Sequence, residues 1–414
     1  MSQGATGNLQ FTSGSIASGY LGAGVVFSGQ IASGQVGWAH HSSGAIVSGQ
    51  VGNATVVSGS IASGQISTPH LASGSLTSGL MSTAFISNIG AWFDNYLDNP
   101  FGMIAQRPSV SLSSSLQYGS CDRWKASCSN VTAGTFGQNT SIVTGFSTNF
   151  SIALTGISAN NAGATITVRQ YIESKNANEL INQTVNFSMR VYSSTSAIVS
   201  TLKIYKMNGV DDPTTLTSLG SANTTLSAGG VVTMSTGGIA MGDCSNGIVV
   251  ELTIPCGVIT TNNFYISDCI LQIGSGVQVC ERRNFQTELA RCQRYYESSF
   301  NDATAPANGT ADYVFYTVVA LNTVALYTQT IPFKVKKRKV PSAITFYSTN
   351  IRGTGNGLWD ANAVGGGGSW TSSSATASTI LDQSQFGVQV TAGATATQGF
   401  SYIVAGGWAT DCDF

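Results

Sequence analysis

The sequence predicts a mainly β protein: a trimeric repetitive β shaft, then a jelly-roll β-sandwich and a small C-terminal β domain. Three observations predict it. Residues 9–81 repeat every 15 positions, residues beyond 101 alternate apolar and polar side chains in short runs broken by Gly, Asn, Ser and Thr, and only one strong helical pattern interrupts them.

The repeat comes first. Each 15-residue unit carries two Ser-Gly pairs five apart, from Ser13-Gly14 and Ser18-Gly19 to Ser73-Gly74 and Ser78-Gly79. Nested within it, one position in five is apolar, through Phe11, Ile16, Leu21, Val26, Ile31 and Val36 and on to Met81, with His41 as the polar exception. A period of five matches neither a helix nor a flat strand, and paired glycines would cost a helix about 1 kcal/mol each. A regularly turning β chain fits, and a unit this small cannot bury its apolar residue alone. Three chains wound about a common axis meet that demand. One chain coiled into a four-sided pentapeptide β-helix is the alternative.

Composition narrows the function classes. Charged residues make up 9% of 414, with a formal net charge of −1, so there is no electrostatic case for nucleic acid. None of the charged residues precedes Asp94. No stretch approaches 18 apolar residues, and Met1-Ser2-Gln3-Gly4 lacks a charged n-region, so neither a membrane span nor a signal peptide is expected and assembly is expected in a cytoplasm. The sequons at Asn149 and Asn186 therefore carry no weight. Eight cysteines show no CxxC spacing for zinc. Buried free thiols are expected, a Cys121–Cys128 pair being the alternative.

Four regions follow: a shaft over 1–82, a collar helix and linker over 83–100, a jelly-roll domain over 101–283 and a C-terminal β tip over 284–414. In the collar, Phe85, Ile89, Trp92 and Tyr96 form one apolar stripe, and Asn99-Pro100 stops the helix. Strands are expected at 150–154, 165–168, 185–189, 198–205, 247–254 and 264–266. The pattern over Thr287–Glu297 predicts a helix with Leu289, Cys292 and Tyr296 on one face. Strands resume at 313–319, 324–331, 343–347, 386–390 and 400–404.

Several segments resemble a known family. Asn99-Pro100-Phe101, then Gln106-Arg107, then Cys121-Asp122-Arg123-Trp124 resembles the opening of carbohydrate-binding-like sandwich domains in bacteriophage tail fibres. Glu281-Arg282-Arg283, followed by Glu288-Leu289-Ala290-Arg291-Cys292-Gln293-Arg294-Tyr295-Tyr296, resembles the junction in the same phage proteins. Pro332-Phe333-Lys334 and Pro341 to Tyr347 are similar to the strand pair after it. With the Ser-Gly shaft, this covers almost the whole chain. The resemblance implies a homotrimeric virion fibre, assembled in the host cytoplasm and attached to other virion proteins of the tail, baseplate or neck by its N-terminal end. Its C-terminal domains would face a host-surface polysaccharide. It implies adhesion without catalysis, no cofactor and no fixed catalytic set.

Two rivals stay open: a head or neck fibre with a structural role, and a tailspike-like glycan depolymerase. The depolymerase would need two carboxylates roughly 5 to 10 Å apart, with Asp360, Asp382, Asp411 and Asp413 as candidates. For glycan contact the better candidates are Trp359, Asp360, Trp370 and Trp408, around the Gly365–Gly368 run, because aromatic faces stack on sugars while a carboxylate takes hydroxyls. His41, with His40 and His70 nearby in the shaft, either binds a metal or anion on a threefold axis or simply fixes register. Lys334 to Val340 reads as a strand with a basic solvent face. Asp122-Arg123-Trp124 and Arg169 read as buried structural pairs, and Glu288 with Arg291 as a surface helix pair.

Overall fold

The computed structural model describes residues 95–276, 282–302, 304–351, 357–364, 370–380, 382–391 and 396–414. The expectations placed on the shaft, the three histidines and nearly all of the collar helix lie outside the described residues. Ala84–Phe414 form one compact unit.

The strands, in order, are β1 (Val110–Ser111), β2 (Gln117–Tyr118), β3 (Trp124–Ser129), β4 (Ala133–Asn139), β5 (Ser151–Ala159), β6 (Thr165–Ile172), β7 (Thr184–Ser193), β8 (Ile198–Gly209), β9 (Asp212–Leu226), β10 (Gly230–Ser235), β11 (Ile239–Ala240), β12 (Ile248–Ile254) and β13 (Ile259–Ile273). After the helix Phe285–Gln293 come β14 (Tyr296–Ser298), β15 (Val314–Ala320), β16 (Ala325–Tyr327), β17 (Ile331–Pro332), β18 (Thr345–Tyr347), β19 (Leu358–Ala363), β20 (Thr371–Ile380), β21 (Gln385–Thr391) and β22 (Ser401–Asp411).

Among the described residues these strands form three sheets. Two belong to a β-sandwich: a sheet in the order β1-β4-β5-β13-β7-β10, with β11 beside β7, and a sheet in the order β2-β3-β6-β12-β8-β9. Alternation explains why they face each other. On β7, Val185, Phe187, Met189 and Val191 point inward, and on β12 Ile248, Val250, Leu252 and Ile254 do the same, all in one core with Trp124 and Phe136. The last two strands, β12 and β13, enter the middle of their sheets, so neither sheet is complete until the sandwich sequence ends.

The third sheet closes on itself. Residues of β22 between 401 and 406 pair with β15 on one side and with β19 on the other, which joins β22-β15-β16-β21-β20-β19 into a ring. Closure removes the free edges of a small sheet. The far half of β22 carries β14 and β18. Phe333, Phe346, Trp359, Phe386 and Trp408 fill the interior. Gly406 makes room for Trp359, since a Cβ there would stand 2.1 Å from the indole Cδ1.

Several boundaries differ from expectation. Leu97 is fully buried in the sandwich core and Tyr96 donates its backbone N–H to Leu271, so 95–100 is part of the sandwich and not helical. The helix of the second half ends at Gln293, and Tyr296 lies on β14 where Asp411 pairs with it. Its start is capped by the Asn284 side chain, which accepts from the Thr287 N–H. Residues 324–331 form two short strands, both paired to β21. Lys334 to Val340 is not a strand: Lys337 is fully buried and paired with Glu297, and Arg338 bonds the backbone of Cys412 and Asp413. Burial between β14 and the end of the chain uses those cations internally.

Candidate functional site

On the solvent side of the first sheet, the alternation that sends Val191, Phe264 and Ile266 inward turns Arg190, Tyr192 and Tyr265 outward. Tyr192 and Tyr265 are directly opposed on the neighbouring central strands β7 and β13, ring centroids 5.8 Å apart and planes tilted by 30°. Both rings are half-buried. One row along the strands, the Arg190 side chain is 43% exposed and stands 3.8 Å from the buried Asp268 carboxylate.

Asp268 is aimed by a bulge. The register slips between Ser267 and Ile270, and Asp268 takes a φ of 52° there. Its carboxylate then accepts from the Ser147 hydroxyl and from the Ser147 N–H at 3.2 Å. Arg190 donates to the Gly145 carbonyl at 2.9 Å. These bonds pin the 140–150 loop along the aromatic pair. On the loop's other flank lies a cleft of about 320 Å³ lined by Phe101, Met103, Ser147, Thr148, Asn149, Phe150, Arg282 and Arg283. Rings, hydroxyls, an amide and guanidiniums therefore follow one another across one face. Such a mixture suits a polyhydroxylated ligand, whose C–H faces stack on rings while its hydroxyls bond polar groups.

The densest charge cluster lies elsewhere, where the sandwich meets the closed sheet. Arg123 reaches Asp98 at 3.0 Å and also Asp413, and its guanidinium lies 3.3 Å from the Tyr295 ring centroid. Arg107 is shared among Asp122, Asp411 and Asp413 and sits between the Tyr118 and Tyr296 rings. Burial pushes the Asp122 carboxyl up to about 6, against the pull of Arg107 and the Gln106 amide. At Asp98 burial acts the same way, but Arg291 and Arg123 outweigh it and hold the carboxyl below its ordinary value. Asp122 and Arg123 are thus buried structural ions, although their partners come from Asp98, Arg107 and Asp413 and not from each other. Arg169 pairs with Glu251, which also takes Lys203 from the next strand. Glu288 and Arg291 do not form a surface pair. Glu288 is buried and takes the Asn99 N–H and Arg283, while Arg291 goes to Asp98.

The structure corrects the candidate glycan residues. Trp359 and Trp408 are buried core residues of the closed sheet, stacked or edge-on against Tyr316, Phe346, Phe333 and Phe386. Asp360 is buried and accepts from the Thr349 hydroxyl. Trp370 alone of the four is partly exposed, beside Phe315, which in turn meets Tyr313. Among the other proposed carboxylates, Asp413 is buried against two guanidiniums and Asp382 accepts from the Ser384 N–H in a turn. The seven described cysteines are free thiols. Among the described residues no group of three or more His, Cys, Asp or Glu is placed to hold a metal, and no helix is long and apolar enough to cross a membrane. Tyr192 and Tyr265 escaped the sequence reading. Their signal was an aromatic residue in the polar phase of an alternating strand, as in Arg190-Val191-Tyr192 and Phe264-Tyr265-Ile266.

No protein-family profile and no curated protein matches this sequence. Among solved structures, one from work on carbohydrate-binding modules of the β-sandwich superfamily overlaps 39% of this chain and 62% of its own, at 10% identity and a TM-score of 0.29. The enzymatically active domain of bacteriophage CBA120 tailspike protein 4 overlaps 43% of this chain and 21% of its own, at 11% identity and a TM-score of 0.29. A putative sugar-binding protein from Bacteroides thetaiotaomicron overlaps 44% of this chain and all of its own, at 12% identity and a TM-score of 0.30. The chain therefore spans less than two thirds of the first two, and the functional reading rests on its own residues.

Proposed function

We propose that this protein is a bacteriophage virion fibre of the tail-fibre kind that attaches to a host-surface polysaccharide without cleaving it. The carrying observation is the side-by-side pair Tyr192 and Tyr265 on the open face of the sandwich, flanked by Arg190 and Asp268. Two further features support the fibre. The 15-residue repeat of 9–81 calls for neighbours to bury its apolar ladder. The closed sheet also exposes Phe315 (57%), Val319 (47%), Val364 (48%) and Phe400 (56%), an apolar surface that a solitary chain leaves to water. Both fit a homotrimer, in which three weak sugar sites on one arm gain avidity without new contacts. The reading places the protein in the virion, attached through its N-terminal end, and uses no cofactor.

The test is binding of the full chain to isolated host-surface polysaccharide, compared with Tyr192→Ala/Tyr265→Ala, with solution mass recorded on the same samples. Wild type should bind at about three times the 42.8 kDa chain mass and release no reducing ends. The double variant should bind roughly tenfold or more weakly, as loss of two stacking rings implies. Unchanged binding by the variant refutes the tyrosine pair as the site, and no binding by wild type refutes the glycan reading. A monomeric mass refutes the trimer.

A further inference from the structure

Among the described residues, Arg282 is the one cation of the cleft without a protein partner. It is exposed, lines the cleft wall, and makes no hydrogen bond or ion pair among the described residues. The neighbouring cations are committed. Arg283 bonds the Leu97 carbonyl at 3.0 Å, the Asn95 carbonyl and the Glu288 carboxylate at 3.1 Å. Arg190 is matched by Asp268. Summed over those side chains, the cleft keeps one positive charge.

The rest of the lining sets the size and chemistry of its occupant. About 320 Å³ is room for a single sugar ring, at the small end of ligand cavities. Phe101, Met103 and Phe150 supply apolar walls, while Ser147, Thr148 and Asn149 supply hydroxyls and an amide. A planar guanidinium at the rim is the group best shaped to take two oxygens of a carboxylate or phosphate. Ser147, in the cleft wall, bonds Asp268, which faces Arg190 one row from Tyr192 and Tyr265, so one residue links the cleft to that row.

From this we propose that the cleft is a subsite for an anionic sugar residue, one bearing a carboxylate or phosphate, with Arg282 holding the acid. The chain of sugars continues over the 140–150 loop onto the tyrosine pair. This assignment rests on the glycan reading above but adds to it: the polysaccharide recognised is acidic, and its charge is read at one residue.

The test titrates the full chain, by saturation-transfer NMR, with glucuronate, glucose 6-phosphate and glucose, and in parallel with an acidic polysaccharide and its carboxyl-reduced form. The proteins are wild type, Arg282→Ala and Lys336→Ala, the last removing an exposed cation away from the cleft. Wild type should bind one or both acids and not glucose, with the choice between glucuronate and the phosphate identifying the acid. Arg282→Ala should weaken that binding roughly tenfold, the scale of a lost hydrogen bond to a charged group, and Lys336→Ala should leave it unchanged. Rising salt should weaken the wild type and not Arg282→Ala. If polysaccharide binds while neither acid does, or if the two variants behave alike, the acidic subsite is refuted and the glycan reading stands. If no saccharide of any kind binds, both fall.

Discussion

At the scale of single residues, the decisive contrast is between aromatics that complete a core and aromatics that face out of one. Trp359 and Trp408 fill the closed sheet, and Tyr192 and Tyr265 do not contribute to the sandwich core at all. Charge follows the same division. Asp122 is fully buried and shares one guanidinium with two other carboxylates, so burial wins and its carboxyl is held at about 6. Folded protein then holds this proton more tightly than unfolded protein, where a carboxyl titrates near 4. Its contribution to stability is full below the unfolded value and is lost as pH rises through 4 to 6. The loss amounts to about 3 kcal/mol at most, from a gap of roughly two pH units. Asp98 has the opposite sign: its contribution is present above the unfolded value and fades only at more acid pH. Asp122→Asn cannot ionise but still accepts from Gln106. The expected result is that urea midpoints of the variant fall less than those of wild type between pH 4 and 6.5. Parallel curves would show that Asp122 does not titrate in that window.

Among the elements, the 140–150 loop does most to create the face. Two devices hold it: the β13 bulge that aims Asp268 at Ser147, and Gly145, whose φ of 103° is open to glycine and strained for any other residue. A Cβ at Gly145 would also lie 3.1 Å from the Val231 side chain on β10. Gly145→Ala should therefore displace the loop while the sandwich stays folded. The predicted readout is faster amide exchange over 140–150 and weaker glycan binding, with a melting temperature within a few degrees of wild type; slow exchange and full binding together would rule this out. How much of this was legible in sequence depends on range. Strands β5 to β8, β12 and β13 announced themselves, because period-two alternation is local and the core keeps it. Strands β9 and β20 did not, since threonine, serine and alanine give alternation no contrast. The fates of Lys337 and Glu288 were hidden for another reason. Each is buried by a partner more than a hundred residues away or on another element, as with Glu288 and Asn99, and a charged side chain in a short window reads as solvent-facing.

For the molecule as a whole, the ionic seam makes the sandwich and the closed sheet one body. Asp413, two residues beyond the end of β22, is gripped by Arg107 and Arg123 of the sandwich. Around it Arg294 and Tyr295 reach Glu173, Arg338 reaches Asp211, and Lys125 reaches the Phe414 carbonyl. Such a joint adds little over an apolar one of equal area while intact, but removal of one partner leaves an uncompensated buried charge. Asp413→Ala would strand Arg123 against the Tyr295 ring with Asp98 as its remaining carboxylate. The cost should be about 3 to 5 kcal/mol, charged to the joint and not to either core. Calorimetry of wild type at neutral pH should show the two lobes melting together, and Asp413→Ala should separate them, with the closed sheet leaving first because its core is the smaller. Arg123→Met, which replaces the cation by an apolar chain of similar length, should cost less than Asp413→Ala. If both variants melt as one transition at the wild-type temperature, the seam does not couple the lobes, and the apolar contact of Ile104 with Leu289 and Cys292 must hold them.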